Sequence, residues 1–102
     1  MEIDNLETEV IDLEVEFGLY EFAMEGREGY YSKVRPNHCI PSRDYAFMGV
    51  VEFHDRELLK PGQSCRATIK AIIASQDKTL FKTGFAWHVT EAYKIVGYAK
   101  VI

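Results

Sequence analysis

The strict alternation of apolar and acidic side chains over residues 10–17 is the feature that most limits what this chain can fold into. Ile11, Leu13, Val15 and Phe17 alternate with Asp12, Glu14 and Glu16. A period of two places the two sets on opposite faces of an extended strand, whereas a helix would scatter the acids around its circumference. The segment therefore predicts a half-buried β-strand.

Further period-two segments follow along the chain. The alternation returns over 65–73 and 85–89, and again over 95–101, where Ile95, Gly97, Ala99 and Val101 are expected to face inward. Aromatic and β-branched residues fill 46–53, with Gly49 as a bulge or close approach. Turn signals separate these segments, most clearly Lys60–Gln63, whose Pro and Gly fit a type II turn. A short helical turn near 55–59 is the only competing element. About six short strands predict an all-β domain, either a closed barrel or a sandwich.

The domain organisation follows from length. With 102 residues the chain is long enough for one core. We expect residues 1–8 to form a frayed N-terminal segment and residues 9–102 to form a single domain. The small residues at Gly49, Ala67, Ala71, Gly84, Gly97 and Ala99 suit the interior of a small barrel.

Charge is distributed unevenly. Residues 1–31 hold ten acids and one base, whereas residues 32–102 hold six acids and eleven bases, for a net charge of −4. The acidic first third argues against a general nucleic-acid binder. We expect the two oppositely charged parts to lie on neighbouring strands, and a basic face remains available elsewhere on the domain.

Localisation is inferred from the absence of several signals. No apolar run approaches the ~18–20 residues of a membrane helix, so we expect no membrane association of that kind. Met1–Asp4 is acidic, unlike a secretory signal. Two cysteines, Cys39 and Cys65, do not make a disulfide framework, which favours the cytoplasm.

Catalytic and metal chemistry find little support in the residues. A metal site would have to use His38, Cys39, His54, Cys65 and His88, which lack a chelating spacing, so no metal or other cofactor is expected. Cys65 shares the phase of Ala67 and Ile69 and is predicted to be buried. A Cys39 nucleophile assisted by a histidine would make a small enzyme and is kept as an alternative. Without a phosphate-binding loop, no GTP binding is expected.

Aromatic side chains admit a third hypothesis, in which unpaired bases stack on them. Trp87 shares the phase of Phe85 and Val89 and is predicted to lie in the core. Tyr98 shares the phase of Lys94 and Lys100 and is the better candidate for an exposed contact.

Several stretches resemble, in order and spacing, the C-terminal β-barrel of elongation factor Tu. They are Val34–Asn37, Gly49–Phe53, Leu59–Gln63 and Ile95–Ala99, with 14–15 and 25–27 matching that barrel's opening strand and Gly-Gly-Arg loop. The resemblance covers residues 9–102. It implies a six-stranded antiparallel closed β-barrel of the translation-factor type, which in that family contacts the T-stem of aminoacyl-tRNA, the GTPase domain and the exchange factor.

The resemblance has one clear departure, at the family's Arg-Glu-Gly-Gly turn. Thr90–Tyr93 occupies that position, and only Glu91 matches. Asn37 also replaces the family's Gln after Arg-Pro. The resemblance therefore supports the fold more strongly than it supports contact with tRNA.

We expect from these arguments a non-catalytic protein-interaction module. The residues expected to contact a partner are Lys33, Arg35, Asn37, Glu91, Lys94, Tyr98 and Lys100. The alternative is a module that contacts the backbone of RNA or tRNA through Lys33, Arg35, Arg43, Lys94, Tyr98 and Lys100. The proline-stiffened, cationic stretch 33–37 is the expected docking segment, unless Arg35 merely pairs with Glu14 or Glu16.

Overall fold

The alternating segment at 10–17 lies within the longest strand of the protein. A computed structural model describes residues 7–102, and in it β1 runs over Thr8–Leu19. The other strands are β2 (Tyr30–Tyr31), β3 (Asn37–Cys39), β4 (Ala46–Phe53), β5 (Leu58–Leu59), β6 (Ser64–Ala74), β7 (Ala86–Glu91) and β8 (Lys94–Val101). Six of them close into an antiparallel barrel in the order β1-β6-β4-β3-β7-β8, and β2 pairs with β5 in a separate two-stranded sheet. The predicted all-β class and the closed six-stranded antiparallel barrel are confirmed.

Strand β1 joins the two oppositely charged parts of the chain. It pairs with β6 over its length and with β8 from Val15 to Leu19. Asp12 therefore lies opposite Lys70, and Glu16 lies between Arg66 and Lys100. As expected, the acidic first third and the basic remainder are neighbours across the sheet.

Alternate side chains of each long strand point into the barrel and form its core. Val15, Phe17, Ala67, Ile69 and Ala71 are buried, as the period-two pattern predicts. Trp87 is buried against Phe47, Phe81 and Phe85, which confirms its predicted place in the core. A Cβ atom on Gly49 would lie 2.7 Å from Cγ2 of Ile69, so this glycine marks the expected close approach.

Strand β8 departs from the predicted phase at its start. A register shift between Val89 and Thr90 pairs Thr90 with Ile95 but Val89 with Gly97, which leaves Val96 as an extra residue. Val96 is fully buried and Ile95 is 45% exposed, so the prediction that Ile95 faces inward is wrong. The bulge is the physical reason, because one unpaired residue reverses the alternation on one side of it.

Helical structure lies elsewhere than at 55–59, which contains β5 instead. Two 3₁₀ helices occupy Glu21–Met24 and Ser75–Leu80. The turn at Lys60–Gln63 has the expected geometry, with φ of +85° at Gly62 and a 3.0 Å hydrogen bond from the Gln63 N–H to the Lys60 carbonyl.

The frayed segment predicted for residues 1–8 falls mainly on residues 1–6, which lie outside the described part of the chain. Thr8 already pairs with Ala74, and the Glu7 carbonyl accepts a 2.9 Å hydrogen bond from the Ser75 N–H.

No helix within residues 7–102 has the length and apolar character needed to span a bilayer.

Candidate functional site

The seven predicted contact residues do not form one surface. Closure of the barrel separates them into three groups. The groups are Lys33, Glu91 and Lys94 at one end of the barrel; Tyr98 and Lys100 beside Glu16 on the β1–β8 wall; and Arg35 and Asn37 on the wall formed by β3, β4 and β6.

Glu91 is the centre of the first group, on the hairpin that joins β7 and β8. Its carboxylate accepts a forked pair of hydrogen bonds from the Arg27 guanidinium, one of them 3.0 Å from Nη2, and a 2.6 Å bond from the Tyr30 hydroxyl. The bonds from Arg27 hold the pKa of Glu91 below its usual value. Burial, together with the bond to Glu91, raises the pKa of Tyr30. Glu91 thus ties the loop 26–29 to the hairpin.

A cleft of about 380 Å³ lies beside this cluster and is lined by Lys33, Tyr31 and Ser32 as well as by Arg27 and Glu91. Sequence reasoning did not assign Arg27 a role. Its position in the loop that resembles the family's Gly-Gly-Arg loop was the available signal. Because Arg27 and Glu91 form an ion pair with each other, neither charge is available to attract a partner strongly.

Tyr98 and Lys100 form the second group. The Tyr98 hydroxyl donates a 2.6 Å hydrogen bond to Glu16, and this bond raises the pKa of Tyr98. The ring packs over Gly18 and is partly buried. Lys100 lines the cleft of about 510 Å³ that also includes Glu16 and Arg66. Opposite charges are therefore interleaved on this wall.

Arg35 belongs to the third group and does not pair with either acid considered for it. Glu14 accepts a 2.7 Å hydrogen bond from Thr68 and lies 3.1 Å from Nε2 of His54, while Glu16 binds Tyr98. No ion pair joins Arg35 or Lys70 to an acid among residues 7–102. The side chain of Arg35 is exposed.

Arg35 and Lys70 border a shallow groove of about 110 Å³ on the outer wall of the barrel. Its other lining residues are Met48, Gly49, Val50 and Ile72. We call this set of six residues the Arg35 groove. Met48 and Ile72 are directly opposite each other in the register and are 61% and 46% exposed. Val10, also exposed, follows in the same row beyond Ile72, and Asn37 follows beyond Met48.

Sequence reasoning missed Met48 and Ile72. Each occupies the outward phase of a strand whose inward phase is apolar too, which was the one signal that could have identified them. A row of apolar side chains on the solvent-exposed wall of a barrel is unusual, and such patches mark contact surfaces.

Two cysteines bear on the enzyme hypothesis. Cys65 is buried, as predicted, and burial raises the pKa of its thiol. Cys39 is partly exposed and lies opposite His88 in the register, but its sulfur is 3.5 Å from the Thr90 hydroxyl. The structure thus places a histidine next to Cys39 on a neighbouring strand without an imidazole–thiol hydrogen bond among the described residues.

Within the described residues, no group of three or more His, Cys, Asp or Glu side chains is placed to hold a metal ion. Comparison with models of known protein families and with the sequences of curated proteins finds no match to this chain.

Proposed function

We propose that this domain is a non-catalytic protein-interaction module whose Arg35 groove docks an acidic protein segment carrying an apolar anchor. The observation that carries the proposal is the exposed pair Met48 and Ile72, bordered by Arg35 and Lys70, neither of which forms an ion pair within residues 7–102.

The apolar side chains supply the affinity. Fully burying a Met or Ile side chain that was exposed contributes about 1.5–3 kcal/mol, so covering Met48 and Ile72 contributes part of that range for each. Val10 extends the same row onto β1 and widens the surface that a partner can cover.

The two cations, Arg35 and Lys70, select for acidic partner segments. A partner segment with carboxylates beside its apolar anchor satisfies Arg35 and Lys70 when it docks, and a basic segment is repelled. Because the protein as a whole is acidic, this positive border also selects the part of the surface that an acidic partner approaches.

The groove is pre-organised at its Arg35 side. The Lys33 N–H donates a 2.7 Å hydrogen bond to the Val51 carbonyl, and the Val51 N–H donates a 2.9 Å bond to the Val34 carbonyl. The buried Pro36 follows Arg35 directly. These constraints reduce the entropy that Arg35 loses on binding.

The proposal keeps two further assignments. We propose that the domain is of the translation-factor type that its sequence resembles, and the closed antiparallel barrel supports this proposal. We place it in the cytoplasm because both cysteines are free and one of them is partly exposed.

The experiment is a titration of isotopically labelled protein, followed by NMR, with two short synthetic peptides. One alternates aspartate with phenylalanine, and the other replaces each aspartate with lysine. We expect the acidic peptide to shift the amide signals of Arg35, Asn37, 48–50 and 70–72, and the basic peptide to leave them unchanged. Arg35→Glu weakens the acidic peptide at least about tenfold, whereas the matched Lys94→Glu variant, with its charge at the barrel end, binds as the native protein does.

The proposal fails if both peptides shift the same signals, if the shifts cluster at 27–33 and 91–94 instead, or if Arg35→Glu binds normally. Shifts that appear only with bulk tRNA, and that weaken with salt, would favour the RNA alternative.

A further inference from the structure

The 3₁₀ helix at Glu21–Met24 presents a bare aromatic side chain to solvent. Phe22 is 90% exposed, while its neighbours Ala23 and Met24 are buried. The turn is fixed by hydrogen bonds from the Tyr20 N–H to the Val96 carbonyl (2.9 Å) and from the Arg27 N–H to the Met24 carbonyl (2.9 Å). Phe22 is therefore held outward by a short segment anchored in the barrel.

Exposure of a phenylalanine ring to water is unfavourable, because the ring has no polar atom that can form a hydrogen bond with water. Large exposed apolar side chains on an ordered segment mark contact surfaces. Among the described aromatic residues only Tyr93 is more exposed, and it carries a hydroxyl group.

The charges around Phe22 are acidic. Glu21 and Glu25 are both exposed, and no ion pair involving either of them is found within residues 7–102. This turn therefore combines an apolar anchor with two free carboxylates, which is the chemistry that the Arg35 groove selects.

We infer that the Phe22 turn of a second copy of this chain occupies the Arg35 groove. Phe22 packs on Met48 and Ile72, and Glu21 and Glu25 meet Arg35 and Lys70. The inference rests on the proposed function, since it uses the same groove, and it identifies a partner segment for it.

The contact joins two different surfaces, so it is heterologous. The turn follows the end of β1, while the groove lies on the wall of β4 and β6. A dimer formed in this way keeps one unused groove and one unused turn, and further copies add at either end. The degree of association therefore rises with concentration and falls with salt.

The first measurement is sedimentation velocity of the native protein over a range of concentrations at low and high salt. We expect the weight-average sedimentation coefficient to rise with concentration at low salt and much less at high salt. Phe22→Ala and Arg35→Glu each weaken association at least about tenfold. The control is Tyr93→Ala, which removes another exposed aromatic side chain but one followed by Lys94; it associates as the native protein does.

The second measurement mixes the two defective variants. Phe22→Ala keeps an intact groove and Arg35→Glu keeps an intact turn, so an equimolar mixture forms heterodimers that cannot grow further. A dimer in which turn meets turn or groove meets groove predicts no such rescue.

A native protein that stays monomeric at millimolar concentration and low salt overturns the inference, as does a mixture that shows no rescue. If the acidic peptide still binds the groove in either case, the proposed function survives and only the second copy is excluded as a partner. If the peptide also fails, the proposed function is wrong as well.

Discussion

At the scale of single residues, two side chains occupy backbone conformations that favour glycine. Lys33 has φ of +77° and Ala92 has φ of +54°. Both lie at the barrel end, Lys33 lining the cleft beside Glu91 and Ala92 following Glu91 directly on the hairpin. A Cβ atom in the left-handed region costs about 1–2 kcal/mol, so the hairpin tip stores strain at a position where the resembling family has a glycine.

Ala92→Gly should therefore stabilise the protein. Removing the Cβ atom relieves the left-handed strain, and the greater freedom of glycine in the unfolded chain offsets part of the gain, which leaves about 0.5–1 kcal/mol in the free energy of unfolding. Urea denaturation monitored by Trp87 fluorescence measures the change. Ala46→Gly, at the start of β4, is the control and should destabilise. A loss of stability in Ala92→Gly would mean that the alanine is not strained.

His38 is the second residue with an unusual environment. It is fully buried in the core, stacks on Phe47 with ring centroids 4.8 Å apart, and accepts a 3.0 Å hydrogen bond from Nε1 of Trp87 at Nδ1. Since Nδ1 is the acceptor, the neutral ring carries its proton on Nε2, which lies against Gly49. Burial lowers the pKa of His38 to about 4.

This pKa makes stability depend on pH in one direction. An unfolded histidine takes up its proton near pH 6.5. As pH falls from 6.5 towards 4 the unfolded state is protonated first, so stability that is present above pH 6.5 is lost progressively through this window. The loss attributable to His38 is on the order of 3 kcal/mol.

His38→Gln isolates this contribution, because an amide oxygen can still accept from Trp87 without titrating. Urea denaturation at several pH values should show that the difference in unfolding free energy between native and variant protein narrows as the solution is acidified. Parallel curves across pH 4–6.5 would show that His38 does not titrate in this way.

At the scale of elements, the seam between β1 and β8 depends on two glycines on adjacent register positions, Gly18 opposite Tyr98 and Gly97 opposite Leu19. A Cβ atom on Gly97 would collide with the carbonyl oxygen of Gly18, which is backbone and cannot move away. A Cβ atom on Gly18 would instead meet the Tyr98 ring, a side chain that can rotate. The seam therefore tolerates Gly18→Ala better than Gly97→Ala.

Gly97→Ala should destabilise the barrel by about 1–3 kcal/mol, the usual range for overpacking in a core. Gly18→Ala should cost less and should also weaken the hydrogen bond from Tyr98 to Glu16. Thermal unfolding of the two variants side by side gives the comparison. Equal effects of the two substitutions would contradict the expectation that the Gly18 carbonyl confines Gly97 more tightly than the Tyr98 ring confines Gly18.

The elements also show why part of the fold was readable from sequence. From Ile11 onward in β1, and throughout β6, each inward position is apolar and most outward positions are polar, so the period-two pattern is sufficient. The bulge at Val96 was not predictable, because Ile95 and Val96 are equally apolar and the pattern does not say which of them is the extra residue. Strand β3 is only three residues long and pairs with β4 on one side and β7 on the other. Because these partners are distant in sequence, no local sequence pattern predicts the strand.

At the scale of the whole molecule, closure of the barrel decides which residues share a surface. Arg35 and Asn37 were expected at the docking surface and lie in or beside the groove, but Met48 and Ile72 join them only through strand pairing. Lys33, Lys94 and Lys100 were expected with them and lie elsewhere. Sequence proximity could not reveal either result.

The scattered positions of the cationic side chains lead to a prediction about RNA binding. Arg43, a further cation of the RNA alternative, is bound to Asp77 at 2.9 Å, and the others are spread over an acidic protein. We expect bulk tRNA to show no retarded band in a gel-shift assay at about 150 mM salt, because few phosphates can be contacted at once. Repeating the assay at low salt is the control for weak attraction. Retardation that persists at the higher salt would contradict this expectation.

The pairing of β1 has a consequence for biosynthesis. Both of its barrel partners, β6 and β8, come much later in the chain, so while a ribosome adds about 5–20 residues per second the strand waits on the order of seconds without a neighbour. An unpaired apolar strand invites aggregation with other nascent chains. Asp12, Glu14 and Glu16, placed at every second position, put three negative charges on one face of that waiting strand and repel identical copies of it. The alternation that directs the strand into the barrel also protects it before the barrel exists.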